Sequence, residues 1–161
     1  MKPSLVRPFV LAALALALQQ GSFAADDSSP AAPSQLSQAR SLIKDKKWSE
    51  AIAELKRVND TASADWNNLM GYSQRKAKTP DFDAAERYYN EALRIDPKHR
   101  GALEYSGELY LMKGDLATAE KRLAVLDKAC TFGCDEYTDL KKAIERYKAS
   151  GNKYVAGSYG S

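Results

Sequence analysis

Four columns of residues recur through the middle of the chain at one fixed interval of 34 positions. Ala51, Ala85 and Ala119 form the first; Trp48, Phe82 and Leu116 the second; Leu55, Tyr89 and Leu123 the third; Val58, Ala92 and Leu126 the fourth. Within each copy the four positions step by three, four and three, which is the spacing of one face of an amphipathic α-helix. A helix with such a stripe cannot bury it alone. Self-similarity at a period of about 20–50 residues is the mark of stacked supersecondary units, each covering its neighbours. The chain is thereby constrained to a stack of helices in pairs, before any other feature is considered.

The middle copy, Asp81 to Pro97 (DFDAAERYYNEALRIDP), is the best formed. Asp81 is placed to cap the helix start, and Phe82, Ala85, Tyr88, Tyr89, Ala92 and Leu93 face inward. Pro97 ends it. Its partner runs from about Asp65 to Ala77, with Trp66, Leu69, Met70 and Ser73 near one another, and Gly71 permits close backbone approach. The first pair is a helix from near Leu36, carrying Ala39, Leu42 and Ile43, followed by Trp48 to Val58. The third pair is Gly101 to Lys113 and Leu116 to Ala129, with Gly114 as a left-handed terminator and Asp115 as the second cap. A last helix, Asp135 to Ala149, has Tyr137, Leu140, Ile144 and Tyr147 on one face and charges on the other. With no helix after it, it reads as a terminal cap. The expected layout is all-α: repeats over 35–63, 64–99 and 100–130, a capping helix over 134–149, and a loose glycine-, serine- and tyrosine-bearing tail over 150–161.

The chain's start is of another kind. Lys2 and Arg7 precede an apolar run, Phe9 to Leu18, and Ser22-Phe23-Ala24 puts small residues where a signal peptidase reads. The run is about half the roughly 20 residues needed to span a bilayer, so residues 1–24 read as a cleaved secretory signal rather than an anchor. Residues 25–34, polar and proline-containing, read as a flexible lead-in. Loss of the signal removes two of the 24 Lys+Arg and none of the 21 Asp+Glu, leaving a mature chain close to neutral. Such a chain has no general attraction for nucleic acid or anionic lipid. The expected location is the periplasm.

The repeated columns resemble the tetratricopeptide repeat family. The second unit matches through Gly71, Ala85-x3-Tyr89 and Pro97. The third matches through Gly107-x2-Tyr110 and Ala119-x3-Leu123, and the first keeps Ala51-x3-Leu55. Trp66 stands one residue out of register with the family tryptophan. The chain looks like the small exported repeat proteins of Gram-negative bacteria. The resemblance implies a right-handed superhelix of three helix pairs plus the capping helix, and a non-catalytic adaptor or scaffold that docks a peptide or protein in its concave groove. By alignment to the family, groove positions are Arg40, Ile43 and Lys44; Asn68, Tyr72, Arg75 and Lys76; and Glu104, Glu108, Leu111 and Met112. The plain alternative is that these are ordinary solvated faces. The lysine–asparagine set with which some members grip a terminal carboxylate is not complete here.

Two features outside the repeats carry chemistry. Cys130 and Cys134 lie four apart, and in an unbroken helix their β-carbons would be about 5–6 Å apart, too far for a disulfide. Gly133 supplies the break that a disulfide needs. The alternatives are a redox-active thiol pair or a site for copper(I) or zinc, and two thiolates leave a tetrahedral site incomplete. His99, the sole histidine, reads as a solvated turn residue. No nucleophile elbow, phosphate loop or cofactor motif is present, so no catalytic or metal residues are assigned and no cofactor is expected. A homo-oligomer built on the tyrosine-rich surfaces is a further alternative.

Overall fold

The computed structural model describes residues 35–156. These lie in the second of the chain's two compact units, residues 33–161. The expected signal peptide over 1–24, the lead-in over 25–34 and the end of the tail over 157–161 lie outside the described residues.

Among the described residues there are seven helices and no strand. They are α1 (Ser37–Lys44), α2 (Trp48–Val58), α3 (Ala64–Lys76), α4 (Phe82–Ile95), α5 (Arg100–Met112), α6 (Leu116–Ala129) and α7 (Asp135–Ala149). Short connections make sequential helices neighbours, and the contacts are densest within the α3–α4 and α5–α6 pairs. The starts are set by side chains. Asp81 accepts from the Ala84 N–H at 2.8 Å and Asp115 from the Thr118 N–H at 3.0 Å, each satisfying a donor the helix leaves free. Ser63 does the same for α3, accepting from the Trp66 N–H at 3.2 Å.

The repeated columns become the core. Ala51, Leu55, Ala85, Tyr89, Ala92, Ala119 and Leu126 are all fully buried. The out-of-register Trp66 has a job of its own: its indole N–H donates to the Leu55 carbonyl at 2.7 Å, tying the end of α2 to the start of α3. Leu140, Ala143, Ile144 and Tyr147 of α7 join the core cluster of α4, α5 and α6.

Gly71 lets α3 settle on α4. A β-carbon there would stand 2.7 Å and 2.8 Å from ring carbons of Tyr89 and 3.1 Å from the Ala85 carbonyl oxygen. Tyr89 is fully enclosed and its ring has nowhere to swing. Gly71→Ala gains about 1 kcal/mol of helix propensity and loses about 1–3 kcal/mol to overpacking. A net destabilisation of about 1–2 kcal/mol is expected in urea unfolding; an unchanged or raised midpoint would show that the two helices can part at no cost.

Cys130 and Cys134 form a disulfide, with Cα atoms 5.7 Å apart. The helix breaks between them at Gly133, whose φ of +85° suits glycine. Cys130 ends α6 and Cys134 begins α7, its sulfur accepting from the Tyr137 N–H at 3.4 Å. His99 differs from expectation. It is not solvated: its side chain caps α5, with Nδ1 accepting from the Ala102 N–H at 3.1 Å and Nε2 lying 2.8 Å from Asp65 Oδ1. The tail differs too, because residues 150–154 turn back rather than trail away from α7.

Candidate functional site

A cleft of about 150 Å3 opens between α3, α5 and α7. Tyr72, Arg75 and Lys76 come from α3; Glu104, Tyr105 and Glu108 from α5; Asp139 and Arg146 from α7. Each helix contributes residues spaced three or four apart, the spacing that puts side chains on one helical face.

Its centre is Arg75, only 5% exposed. The guanidinium donates to Glu108 at 2.7 Å and lies over the rings of Tyr72 and Tyr105, 5.5 and 5.6 Å from their centroids. Burial works against its charge, but Tyr89 and Glu108 more than offset this and hold its pKa above the ordinary arginine range. Tyr72 and Tyr105 are themselves in contact, centroids 4.6 Å apart, and Trp48 meets Tyr72 edge-on at 5.8 Å. The strip is braced from both ends, since each ring is held by a neighbour and by the cation above it.

Glu104 is the uncommon group. It is 8% exposed, and no hydrogen bond or ion pair reaches its carboxyl among the described residues. Burial pushes it up to about 8, helped by the carboxylates of Glu108, Asp139 and Glu136 and opposed by Arg75. At neutral pH it is therefore mainly a neutral acid, able to donate one hydrogen bond. Burial also lifts Tyr72, with Arg75 pulling the other way, and lowers Lys76.

A second, more open cleft adjoins the first at Tyr105, and it holds Arg40, Asp65, Asn68, His99 and Glu136. Arg40 reaches Asp65 at 2.7 Å. Asn68 is 7% exposed and its side-chain oxygen has no hydrogen-bond partner.

The expected binding residues thus divide. Tyr72, Arg75, Lys76, Glu104 and Glu108 line the first cleft, while Arg40 and Asn68 line the second. Leu111 is in neither: at 1% exposure it belongs to the core beneath α7. Met112 touches the first cleft's centre, its sulfur 4.0 Å from Arg75. Sequence reasoning missed Tyr105, Asp139 and Arg146. One further step of the 34-residue period carries Tyr105 onto Asp139, so α7 supplies to the cleft what the first helix of another pair would supply. Among the described residues no cluster of three or more His, Cys, Asp or Glu is arranged to hold a metal ion, and no helix is long and apolar enough to cross a membrane.

Comparison with known proteins agrees with this architecture. Residues 80–144 match the family described as tetratricopeptide repeat. No curated protein matches the chain. Among solved structures, the type III secretion chaperone SycD of Yersinia enterocolitica, in complex with a peptide of the translocator YopD, is similar in fold. The TM-score is 0.58 at 19% identity, over 72% of this chain and 88% of that one.

Proposed function

Taking the chain as the tetratricopeptide repeat protein that its fold and family match make it, we propose that it is a non-catalytic binding module. It holds an extended segment of a partner protein along the first helices of its pairs, which form the concave groove of a superhelix, and it works in the periplasm after loss of residues 1–24. The observation that carries this reading is the braced strip Trp48–Tyr72–Tyr105, with polar groups left unsatisfied along it. Rigid aromatic rings offer contact area at little cost in side-chain entropy. The Asn68 oxygen and the Glu104 carboxyl are buried without partners, a condition that costs stability until something bonds to them. An extended peptide presents a donor and an acceptor at nearly every residue. The similar chaperone was solved with a peptide bound, so a fold of this kind accommodates one.

The bonded state of Cys130 and Cys134 favours a structural role over the redox or copper-handling alternative, since a thiolate is the nucleophile and ligand in both. The charge left once residues 1–24 are removed gives no ground for nucleic acid as the partner. A homo-oligomer would appear as a doubled mass in light scattering.

Selection of random linear peptides from a display library against the full chain tests the groove. Peptides that bind wild type are expected to lose at least about tenfold in affinity for Tyr72→Ala, roughly one contact of 1.4 kcal/mol. They should keep their affinity for Arg87→Ala, which lies in a different cleft with Tyr88 and Glu91. Binders indifferent to Tyr72→Ala would remove the assignment. For location, the N-terminal residue of protein recovered from the native cell decides: a chain still starting at Met1 would end the export reading.

A further inference from the structure

The chain beyond α7 does not lead away from the helices. The Ser150 N–H bonds the Arg146 carbonyl at 3.0 Å, and the Asn152 N–H bonds the Tyr147 carbonyl at 3.0 Å. Gly151 and Asn152 both take positive φ, +69° and +62°, and two left-handed residues in succession reverse the chain's direction. The Ser150 hydroxyl lies within hydrogen-bond distance of the carbonyls of Tyr147 and Lys153, closing the turn. One side chain of the returning segment is taken inside. Tyr154 is half-buried and lies against the core cluster, whereas Lys153, Val155 and Ala156 on either side are exposed. This is the pattern of a single anchor in an otherwise solvated strand.

The anchor's surroundings are those of the cleft. Burial lifts the Tyr154 hydroxyl above its ordinary range, Glu108 lifts it further, and Arg75 and Arg146 draw it down. Arg75 responds in turn to Tyr154. Tyr72, Arg75, Glu108 and Arg146 all line the first cleft.

We propose that the tail is a built-in occupant of the α3–α5–α7 cleft, with Tyr154 standing where a partner's aromatic side chain would stand, so that a partner carrying such a residue must displace it. This rests on the reading of the cleft as a peptide site. The device is suited to displacement. The segment GNKYVA carries one large ring and mostly small or polar neighbours, and ordering such a strand costs about what one half-buried ring returns. A covered cleft lowers apparent affinity in proportion to the fraction of molecules whose tail is out. The tail therefore sets a threshold that a weak or featureless peptide does not pass.

The test uses the full chain and a fluorescent peptide, SGNKYVA, copied from residues 150–156. We expect it to bind Tyr154→Ala about tenfold tighter than wild type, the ratio for a tail that is out in roughly one molecule in ten. Tyr154→Phe should behave as wild type, and adding Tyr72→Ala to Tyr154→Ala should abolish the gain. Equal affinity for wild type and Tyr154→Ala, or no binding to either, overturns the proposal. NMR provides an independent reading. Tyr154→Ala should shift the ring resonances of Tyr72 and Tyr105; changes confined to the end of α7 also overturn it. Failure of the peptide-site reading itself has a separate signature, library peptides indifferent to Tyr72→Ala, and the two are thereby told apart.

Discussion

Arg75→Ala is expected to destabilise the protein by about 3–5 kcal/mol, the range for removing one partner of a buried ion pair. The Arg75 side chain is 4% exposed and that of Glu108 19%, at a separation of 2.7 Å. Truncation leaves the Glu108 carboxylate in a half-closed cleft with Glu104 and Asp139 for company and no cation in contact. It also removes the cation from above Tyr72 and Tyr105, contacts worth about 0.5–2 kcal/mol each when desolvated. Urea unfolding at pH 7 should move to a lower midpoint with an unchanged slope, because the surface exposed on unfolding is nearly the same. A loss under about 1 kcal/mol would mean that water already screens the pair. The double variant Arg75→Met, Glu108→Leu separates charge from shape. It leaves no orphaned ion and is expected to recover most of the loss, since apolar groups of similar volume replace buried pairs at little cost.

That ion pair also shows how far a sequence of this kind can be read. The helices follow from spacing, because three units repeat the same burial pattern and each copy corroborates the others. The caps at Asp81 and Asp115 follow from local chemistry, which needs no tertiary context. The cleft was half legible: a family alignment puts Tyr72, Arg75 and Glu108 on one side of α3 and α5. It does not reveal that Arg75 and Glu108 satisfy each other, because that depends on the distance between two helices. Leu111 went astray for a related reason. It lies four residues after Gly107, hence on the same helical face, and Gly107 is where α7 comes closest: a β-carbon there would meet Leu140 at 2.6 Å. In an open stack that face would be free; with α7 laid across it, Leu111 is core. The same helix brought Asp139 and Arg146 to the cleft. His99 and Tyr154 depended on contacts with Asp65, 34 residues away, and with a surface assembled from three helices. No local pattern encodes either.

Glu104 carries the last large effect, and it depends on pH. Its folded pKa of about 8 stands well above the model value of 4.5. Below about pH 4.5 the carboxyl is neutral in both the folded and unfolded chains, and its titration contributes nothing. Between about 4.5 and 8 the unfolded chain ionises freely while the folded one resists, so the unfolded state binds fewer protons and stability falls as pH rises. Above about 8 both forms are ionised and the penalty is complete. The full shift corresponds to a ceiling of roughly 5 kcal/mol at 1.36 kcal/mol per unit. The charges facing the group fix the sign. Glu108 on the same helix and Asp139 and Glu136 on α7 all oppose ionisation, and only Arg75 on α3, already committed to Glu108, favours it. Glu104→Gln keeps the shape and removes the titration. At pH 4 variant and wild type should unfold at similar urea concentrations. At pH 8.5 the variant should be more stable by about 2–4 kcal/mol, below the ceiling because water enters a cleft more readily than a core. Every other group titrates alike in both proteins, so the difference between the two curves isolates this one carboxyl. A constant difference from pH 4 to 8.5 would mean that Glu104 is ionised throughout, and that the cleft presents a fixed negative charge to its partner rather than a hydrogen-bond donor.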